Sequence, residues 1–510
     1  MKNQTLPSIT RILFLITLLC AAIASLQSVH AVTITVTSTA DSGANTLRQA
    51  LADSNDGDTI DFSVTGTITL SSGELLVNDS ITISGPGADI LAVDANHASR
   101  VFHIASGKTV TISGLTITNG AVTGSFPAGA GGGIFNDHST LTINNSTLSG
   151  NSASWSGGGI YSQAGFGSAT LTINNSTLSG NSASLGGGGI FNDGEAGSAT
   201  LTINNSTFSS NSAPGSVGGG IFNDGRNSGS AALTVSNSTL SGNSATSVGG
   251  INNQGFGGSA TLTIRDTILK TGPSGENIFN DSGMITSLGY NLSSDDASAV
   301  LNQSTDQNSI DPMLGPLQDN GGPTFTHGLS AGSPAIDKGK NFTTATTDQR
   351  GTGFARTYDN PAIANATGGD GTDIGAFEVQ ASPAVCPQPH GYWKNNPDAW
   401  PVNSLMLGSQ TYSKTELLTI LKTRIGSGPK ADASLILADQ LIAAKLNIAN
   451  GADGTAVTST ITHADSVLSG YSGKLPYKVR TNTTNGRGMV NDAATLESYN
   501  KGALTLGCGL

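Results

Sequence analysis

LTINNSTLSGNSAS occupies residues 141–154 and returns unchanged at 171–184. It comes back as LTINNSTFSSNSA at 201–213, LTVSNSTLSGNSAT at 233–246 and LTIRDTILK at 262–270. The copies start 30, 30, 32 and 29 residues apart. A second phrase follows each of the first four: GGGIYSQ at 157–163, GGGIFND at 187–193 and 218–224, and GGINNQ at 249–254, while another GGGIFND at 131–137 precedes the series. A fixed period of this size marks a stacked repeat in which each unit buries its apolar face against the next.

Within the phrase the period is two. Leu141 and Ile143 alternate with Thr142 and Asn144, the pattern of a half-buried strand and not of a helix. Three short strands per repeat fit: LTINN, STLSGN and GGGIF. Asn, Ser and Gly between them tolerate left-handed backbone angles. Stacking at the ~4.8 Å spacing of paired strands predicts four apolar columns. The first is Leu141, Leu171, Leu201, Leu233 and Leu262. The second is Ile143, Ile173, Ile203, Val235 and Ile264, and the third Leu148, Leu178, Phe208, Leu240 and Ile268. Ile134, Ile160, Ile190, Ile221 and Ile251 make the fourth. Asn145, Asn175, Asn205 and Asn237 are expected to stack, as are Asn151, Asn181, Asn211 and Asn243, each amide bonded to its copies. The expected fold is an all-β right-handed parallel β-helix, a solenoid, over 32–380 with regular coils over about 81–281. Weaker copies at 81–85 (ITISG), 110–120 (VTISGLTITNG) and 277–281 (NIFND) extend it. TLRQALADSN at 46–55 places Leu47, Ala50 and Leu51 at helical spacing, a capping helix for the open first coil.

Residues 1–31 read as a signal peptide: Lys2 and Arg11, an apolar run from Ile12 to Ala24, and a small-residue cleavage site ending at Ala31. That run is too short to cross a bilayer, and no second stretch of ~20 apolar residues follows, so the mature chain is expected to be secreted, extracellular or at the cell surface with no transmembrane segment. Of the chain's 23 Lys and Arg, two lie in the leader; against 35 Asp and Glu the remainder carries a net charge of −14. An acidic body excludes a nucleic-acid partner, which needs clustered cations. With Cys20 in the leader, Cys386 and Cys508 remain, and in an exported chain such a pair is expected to be a disulfide. Closing that loop is worth about 4–5 kcal/mol in the chain-entropy model.

A family resemblance follows from further motifs. VTSTADSGANTLRQALADSNDGDTIDF (36–62) resembles the N-terminal element of bacterial surface proteins with a "CSLREA"-type motif, here without its cysteine. GYNLSSD (289–295), LGPLQDNGGPTFTHGLSAGSPAIDKG (314–339), TDQRG (347–351) and DIGAFE (373–378) resemble the choice-of-anchor Q module that closes such β-helices, expected over about 285–380. The GGGIF repeats are similar to motifs of polymorphic outer-membrane protein passengers. The resemblance implies export and surface display, and implies no catalytic residue. HGYWKNNPDAW (390–400) and LADQLIAAKLNIANGA (437–452) resemble a second bacterial module of undefined function.

After a linker at 381–385, residues 386–510 read as a small, mainly α-helical domain. The stripe Leu437, Leu441, Ile442, Leu446 and Ile448 ends at Gly451. Ser413 with Glu416 three residues on is a capping box for a helix within 413–426. Residues 489–501 are a third helix, and 401–414 reads as a connector.

Two loops depart from the repeat. Asp193-Gly194-Glu195 and Asp224-Gly225-Arg226 share one phase of successive coils, so Asp193 and Asp224 stand one strand spacing apart, near the carboxyl separation of retaining glycosidases. Arg226 suits a lyase base or a uronate clamp, and the carboxylates suit Ca²⁺. The column also holds Asp137, Gln163 and Gln254, which reads equally as a tolerant polar turn, and an exposed Glu195–Arg226 pair carries little energy. Tyr392, Trp393 and Trp400 form the densest aromatic group, a carbohydrate platform if exposed and a domain core if buried. The expectation is a non-enzymatic scaffold, adhesive or in contact with polysaccharide or another surface component, without a cofactor. The alternative is a polysaccharide lyase or glycoside hydrolase using Asp193, Asp224, Glu195 and Arg226.

Overall fold

The computed structural model describes residues 31–380, 385–504 and 508. The expected leader, apart from Ala31, and residues 381–384 of the expected linker lie outside the described residues. The chain divides into two compact units, 1–380 and 381–510.

The first unit is a parallel β-helix with three faces. One sheet runs ten strands from Thr33–Val36 to Met284–Ser287, and a second runs eight from Glu276–Asp281 back to Leu75–Val77. A third holds strands such as Thr147–Ser149 and Thr177–Ser179. Successive coils pair in register: Leu141 on Leu171, Leu201, Leu233 and Leu262, and Ile134 on Ile160, Ile190, Ile221 and Ile251. These side chains form one buried core. The third column needs one correction. Leu269, not Ile268, pairs with Leu240, because counting from Leu262 aligns Ile268 with Thr147. Ile268 therefore points outward and is buried against Leu292, Ala335 and Ile374 instead.

Polar columns hold the coils too. Asn151 donates to Asn181, Asn181 to Asn211 and Asn211 to Asn243, each Nδ2–Oδ1 distance 2.9 Å, all inside the solenoid. The Asn145 column behaves differently from expectation. Asn145, Asn175, Asn205 and Asn237 have φ of 46–49°, so asparagine is there for the left-handed turn, and their side chains form no ladder. The amide ladder at this corner runs one residue earlier, Asn204 to Asn174 to Asn144. In GGGI the first glycine is left-handed, as at Gly187 (φ 62°). A Cβ on Gly188 would lie 2.4 Å from the Ser212 carbonyl oxygen, so nothing larger fits between coils.

Helix α1, Leu47–Asp53, is capped by Thr46 and buries Leu47, Ala50 and Leu51 against the first coil. At the other end Ala297 and Leu301 join the core. Residues 314–380 do not extend that closure; they fold back along the flank. Thr177 Oγ1 donates to the Phe325 carbonyl (2.6 Å), Thr207 Oγ1 to Gln349 Oε1 (2.6 Å), and Thr239 Oγ1 accepts from Ala376 N–H (3.0 Å). This segment has little regular structure, and buried carboxylates satisfy its backbone. Asp348 accepts from the Glu378 and Arg350 amides, Glu378 from Tyr358 and Asp373, and Asp373 from Asp337 and Val379. Arg356, fully buried, reaches Asp266 at 2.8 Å. Burial pushes Glu378 up to about 9 and Asp266 up to about 7, although Arg356 pulls both the other way.

The second unit holds α2 (His390–Asn395), α3 (Lys414–Lys422), α4 (Ala433–Ala449), α5 (Thr458–Ser469) and α6 (Thr484–Asn500). Ser413 and Glu416 form the capping box of α3. The expected connector 401–414 instead contains a hairpin, Ser404–Leu407 with Gln410–Ser413, turning at Gly408 (φ 59°). Helix α5 was not legible because its face is Thr- and Ser-rich and only Ala464 and Leu468 are buried. Cys386 and Cys508 are disulfide-bonded, with Cα atoms 5.3 Å apart.

Removing Arg356 leaves Asp266 and Glu378 without their cation. Arg356→Met is expected to destabilise the protein by roughly 3–5 kcal/mol at pH 8. At pH 5 the loss shrinks, since Asp266, raised to about 7, is then protonated and neutral, as Glu378 already largely is at pH 8; urea denaturation at the two pH values checks this.

Candidate functional site

The strands at 134–137, 190–193 and 221–224 of the eight-stranded sheet read I-F-N-D and the one at 160–163 reads I-Y-S-Q, and their alternation decides the outer surface. Ile and Asn point inward, Phe and Asp outward. Phe135, Tyr161, Phe191 and Phe222 are therefore in register across four coils. Their ring centroids are 5.7, 5.1 and 4.7 Å apart, the first two pairs stacked. Beside them runs the second outward column, Asp137, Gln163, Asp193, Asp224 and Gln254.

Loops raise a wall on each side of this floor. On one side Trp155 N–H donates to Gly129 and Leu185 N–H to Trp155, while Phe126 leans over Phe135 and Tyr161 at 6.2 and 5.6 Å. On the other, Phe166 N–H donates to Ala196, and Ala196 N–H to Arg226. Two clefts open between the walls. One of about 420 Å³ is lined by Glu74, Arg100, His103, Phe126, Phe135 and His138. The other, about 290 Å³, is lined by Phe126, Trp155, Tyr161, Phe166, Asp193 and Glu195. Phe126 and Gln163 line both, so the clefts are parts of one groove.

Phe166 stands out. Its φ is 61°, a conformation that costs a bulky residue about 1–2 kcal/mol, and its side chain is 94% exposed. No packing of that side chain offsets the strain. Phe256, in the same G-F-G context three loops on, is 67% exposed.

The four residues singled out by the sequence do meet. Ligand oxygens of Asp193, Glu195 and Asp224 all lie within 4.8 Å of one another, a spacing that would suit a hard cation. Asp193 Oδ2 accepts from Tyr161 O–H (2.7 Å) and Oδ1 from Glu195 N–H (3.0 Å). Burial nonetheless outweighs these bonds and pushes Asp193 up to about 6. Arg226 does not chiefly pair with Glu195, which is 3.7 Å away. Its fork closes on Asp224 of its own loop, Nε to Oδ1 at 2.8 Å and Nη2 to Oδ2 at 2.6 Å, and the Asp224 side chain has no exposed surface. At the far end of the groove the His138 ring lies between the Asp137 carboxylate and the Gly165 carbonyl. Both neighbours are acceptors and so favour the protonated ring, whose two nitrogens both donate; burial draws this imidazole down, but these acceptors raise it above its ordinary value.

In the second unit Trp393 and Trp400 are 1% and 8% exposed. Trp393 Nε1 donates to Asn447 and Trp400 Nε1 to the Trp393 carbonyl. Only Tyr392 of the three reaches the surface, which corrects the reading of these residues as a joint sugar platform. His390 meets Gln440 and His463 meets Asp492, on separate sites. The exposed aromatics that line a groove, Phe126, Trp155 and Phe166, stand in loops outside the repeated phrases. The G-F-G triplets at 165–167 and 255–257 were the available signal.

No family model matches the chain, and no curated protein matches it. The likenesses seen at 36–62, 289–378 and 390–400 thus rest on their motifs alone. Among solved structures it is similar to Jun a 1, the major allergen from cedar pollen, at 16% identity over 54% of this chain and 75% of that one, with a TM-score of 0.30. It is also similar to pectate lyase Pel9A, at 14% identity over 69% of this chain and 98% of that one, TM-score 0.32. A mutant of the PL6 family alginate lyase AlyGC shares 13% identity over 70% and 60% of the two chains, TM-score 0.21. No site residue is carried over from them.

A carboxyl raised by burial destabilises the fold once it must ionise. The parent protein is expected to hold the stability tied to Asp193 below about pH 4 and lose it as the pH rises through 6. Asp193→Asn removes that dependence, gaining roughly 2–3 kcal/mol on the parent between pH 4.5 and pH 8 in urea titrations.

Proposed function

We propose that the protein is an exported, non-enzymatic β-helix scaffold that holds carbohydrate in the groove above the aromatic column. One observation carries this reading: Phe166 keeps an unpacked ring at the groove wall in a strained left-handed conformation. Strain of this kind persists where the presented side chain has a use. Together with Phe126 and Trp155 it offers aromatic faces, and Glu195, Gln163 and Asp193 offer hydrogen-bonding groups between them, the combination that suits sugar rings and their hydroxyls. The leader motif, the disulfide and the absence of a membrane-crossing helix among the described residues accord with action outside the cell.

A second reading, cleavage of a polysaccharide in the same groove, is favoured by Asp193, a carboxyl raised to about 6 within 4.8 Å of the Asp224 carboxylate. Against it, Asp224 has no exposed surface and is held by Arg226, so it offers no atom to a substrate. A nucleophile or base must reach the reacting atom.

Incubating the purified protein with neutral and acidic polysaccharides separates the readings. Retention on at least one polymer without new reducing ends or unsaturated uronate is the expected result. Cleavage that vanishes in Asp193→Asn would establish the enzyme instead. Phe166→Gly is expected to raise stability by about 1 kcal/mol at most, the relieved left-handed strain outweighing the freedom glycine adds to the unfolded chain, while weakening that retention severalfold. A variant that gains stability and keeps full binding would remove Phe166 from the site.

A further inference from the structure

A second cleft lies at another corner of the solenoid, where the strands ending at Asn144, Asn174 and Asn204 turn. It encloses about 550 Å³, within the range of small-molecule sites, between the paired Asn columns and residues 343–347 of the flanking segment. No charged residue lines it: the walls are Ser113, six asparagines, four threonines and Ala345.

Its amides are incompletely satisfied. Asn174 Nδ2 donates to Asn144 Oδ1 (2.9 Å) and Asn204 Nδ2 to Asn174 Oδ1 (3.1 Å). That ladder leaves Asn144 Nδ2 and Asn204 Oδ1 at its ends. Asn205 donates to the Thr347 carbonyl at 3.0 Å, yet its Oδ1 is buried without a partner although the residue is only 4% exposed. Leaving a buried amide oxygen unmet is unfavourable by about 1–3 kcal/mol. Asn145 and Asn175 line the same cleft, and their left-handed backbone (φ 48° and 49°) turns them out of the ladder.

We infer that this cleft is a binding site for a neutral polyhydroxylated ligand, a short uncharged saccharide. Sugar hydroxyls donate and accept at once, which matches amides offering both an N–H₂ and a C=O at each step of the column. The column repeats at the ~4.8 Å strand spacing, so adjacent hydroxyls of one chain meet equivalent partners. A uronate or phosphate would find no cation among the lining residues, and a metal ion no carboxylate. The site is independent of the aromatic groove, because it lies on different residues and needs none of the aromatic ones.

The test is titration of the purified protein with cellohexaose, maltohexaose and xylohexaose, with trigalacturonate as the charged comparator, followed by calorimetry and saturation-transfer NMR. The key variant is Asn145→Gly with Asn175→Gly, since glycine keeps the left-handed turn and removes only the amides. The expected result is binding of at least one neutral hexasaccharide that weakens tenfold or more in the double variant, is unmoved by Phe166→Gly, and is absent for trigalacturonate. Unchanged circular dichroism and thermal midpoint confirm that the double variant is folded. Failure of every neutral saccharide to bind would overturn the inference and leave a hydrated crevice. So would binding that the glycine pair does not alter. Loss on Phe166→Gly alone would assign all recognition to the aromatic groove.

Discussion

Parallel pairing of each coil with the next, in register, is the constraint on which the first unit depends. A strand that slipped by one residue would turn every core side chain outward, so the repeat must return the same residue type to the same phase. That is why Leu141 meets Leu171 and Leu201, and why insertions in the 32-residue unit fall in the loops at 214–217 and 225–229 and not in the strands. It also limits where a function can reside. Inward positions answer to the column, and only outward residues and loops are free to vary.

The same register makes a polar interior tolerable. Asn151, Asn181, Asn211 and Asn243 are buried, but each amide is met by its copy, so no donor is stranded. The flanking segment 314–380 faces the opposite difficulty. Beyond one short hairpin, Leu314–Gln318 with Thr326–Leu329, it has no ladder to satisfy its backbone, and buried carboxylates take over that work, with Arg350 and Arg356 supplying the opposing charge. Three outward threonines of the solenoid, Thr177, Thr207 and Thr239, are buried only because this segment lies on them.

The groove follows from the alternation of the strands. An I-F-N-D strand buries Ile and Asn and thereby sets Phe and Asp side by side outside, so stacked coils generate an aromatic column flanked by a carboxylate and amide column without any special motif. What is particular is the dressing of the walls: Phe126 and Trp155 from one side and Phe166 from the other line one cleft with Tyr161. The carboxylate pair at its edge is less accessible than its spacing suggests, because Arg226 folds back on Asp224.

The sequence by itself determined the solenoid, its four apolar columns apart from the Leu269 position, the capping helix at 47–53, the capping box at Ser413 and the disulfide. Each of these depends on local period or on residues whose spacing has one meaning. It also placed Asp193 beside Asp224, since equal phase in a fixed repeat is equal position in space. Only the tertiary structure decided that Trp393 and Trp400 are core, that residues 314–380 run back along the flank, and which partner Arg226 chooses. Those outcomes turn on packing between segments far apart in the chain, which no period encodes. The meeting of Phe126, Trp155 and Phe166 around one cleft belongs with them, because three loops of unlike sequence come to face one another only once the coils have stacked.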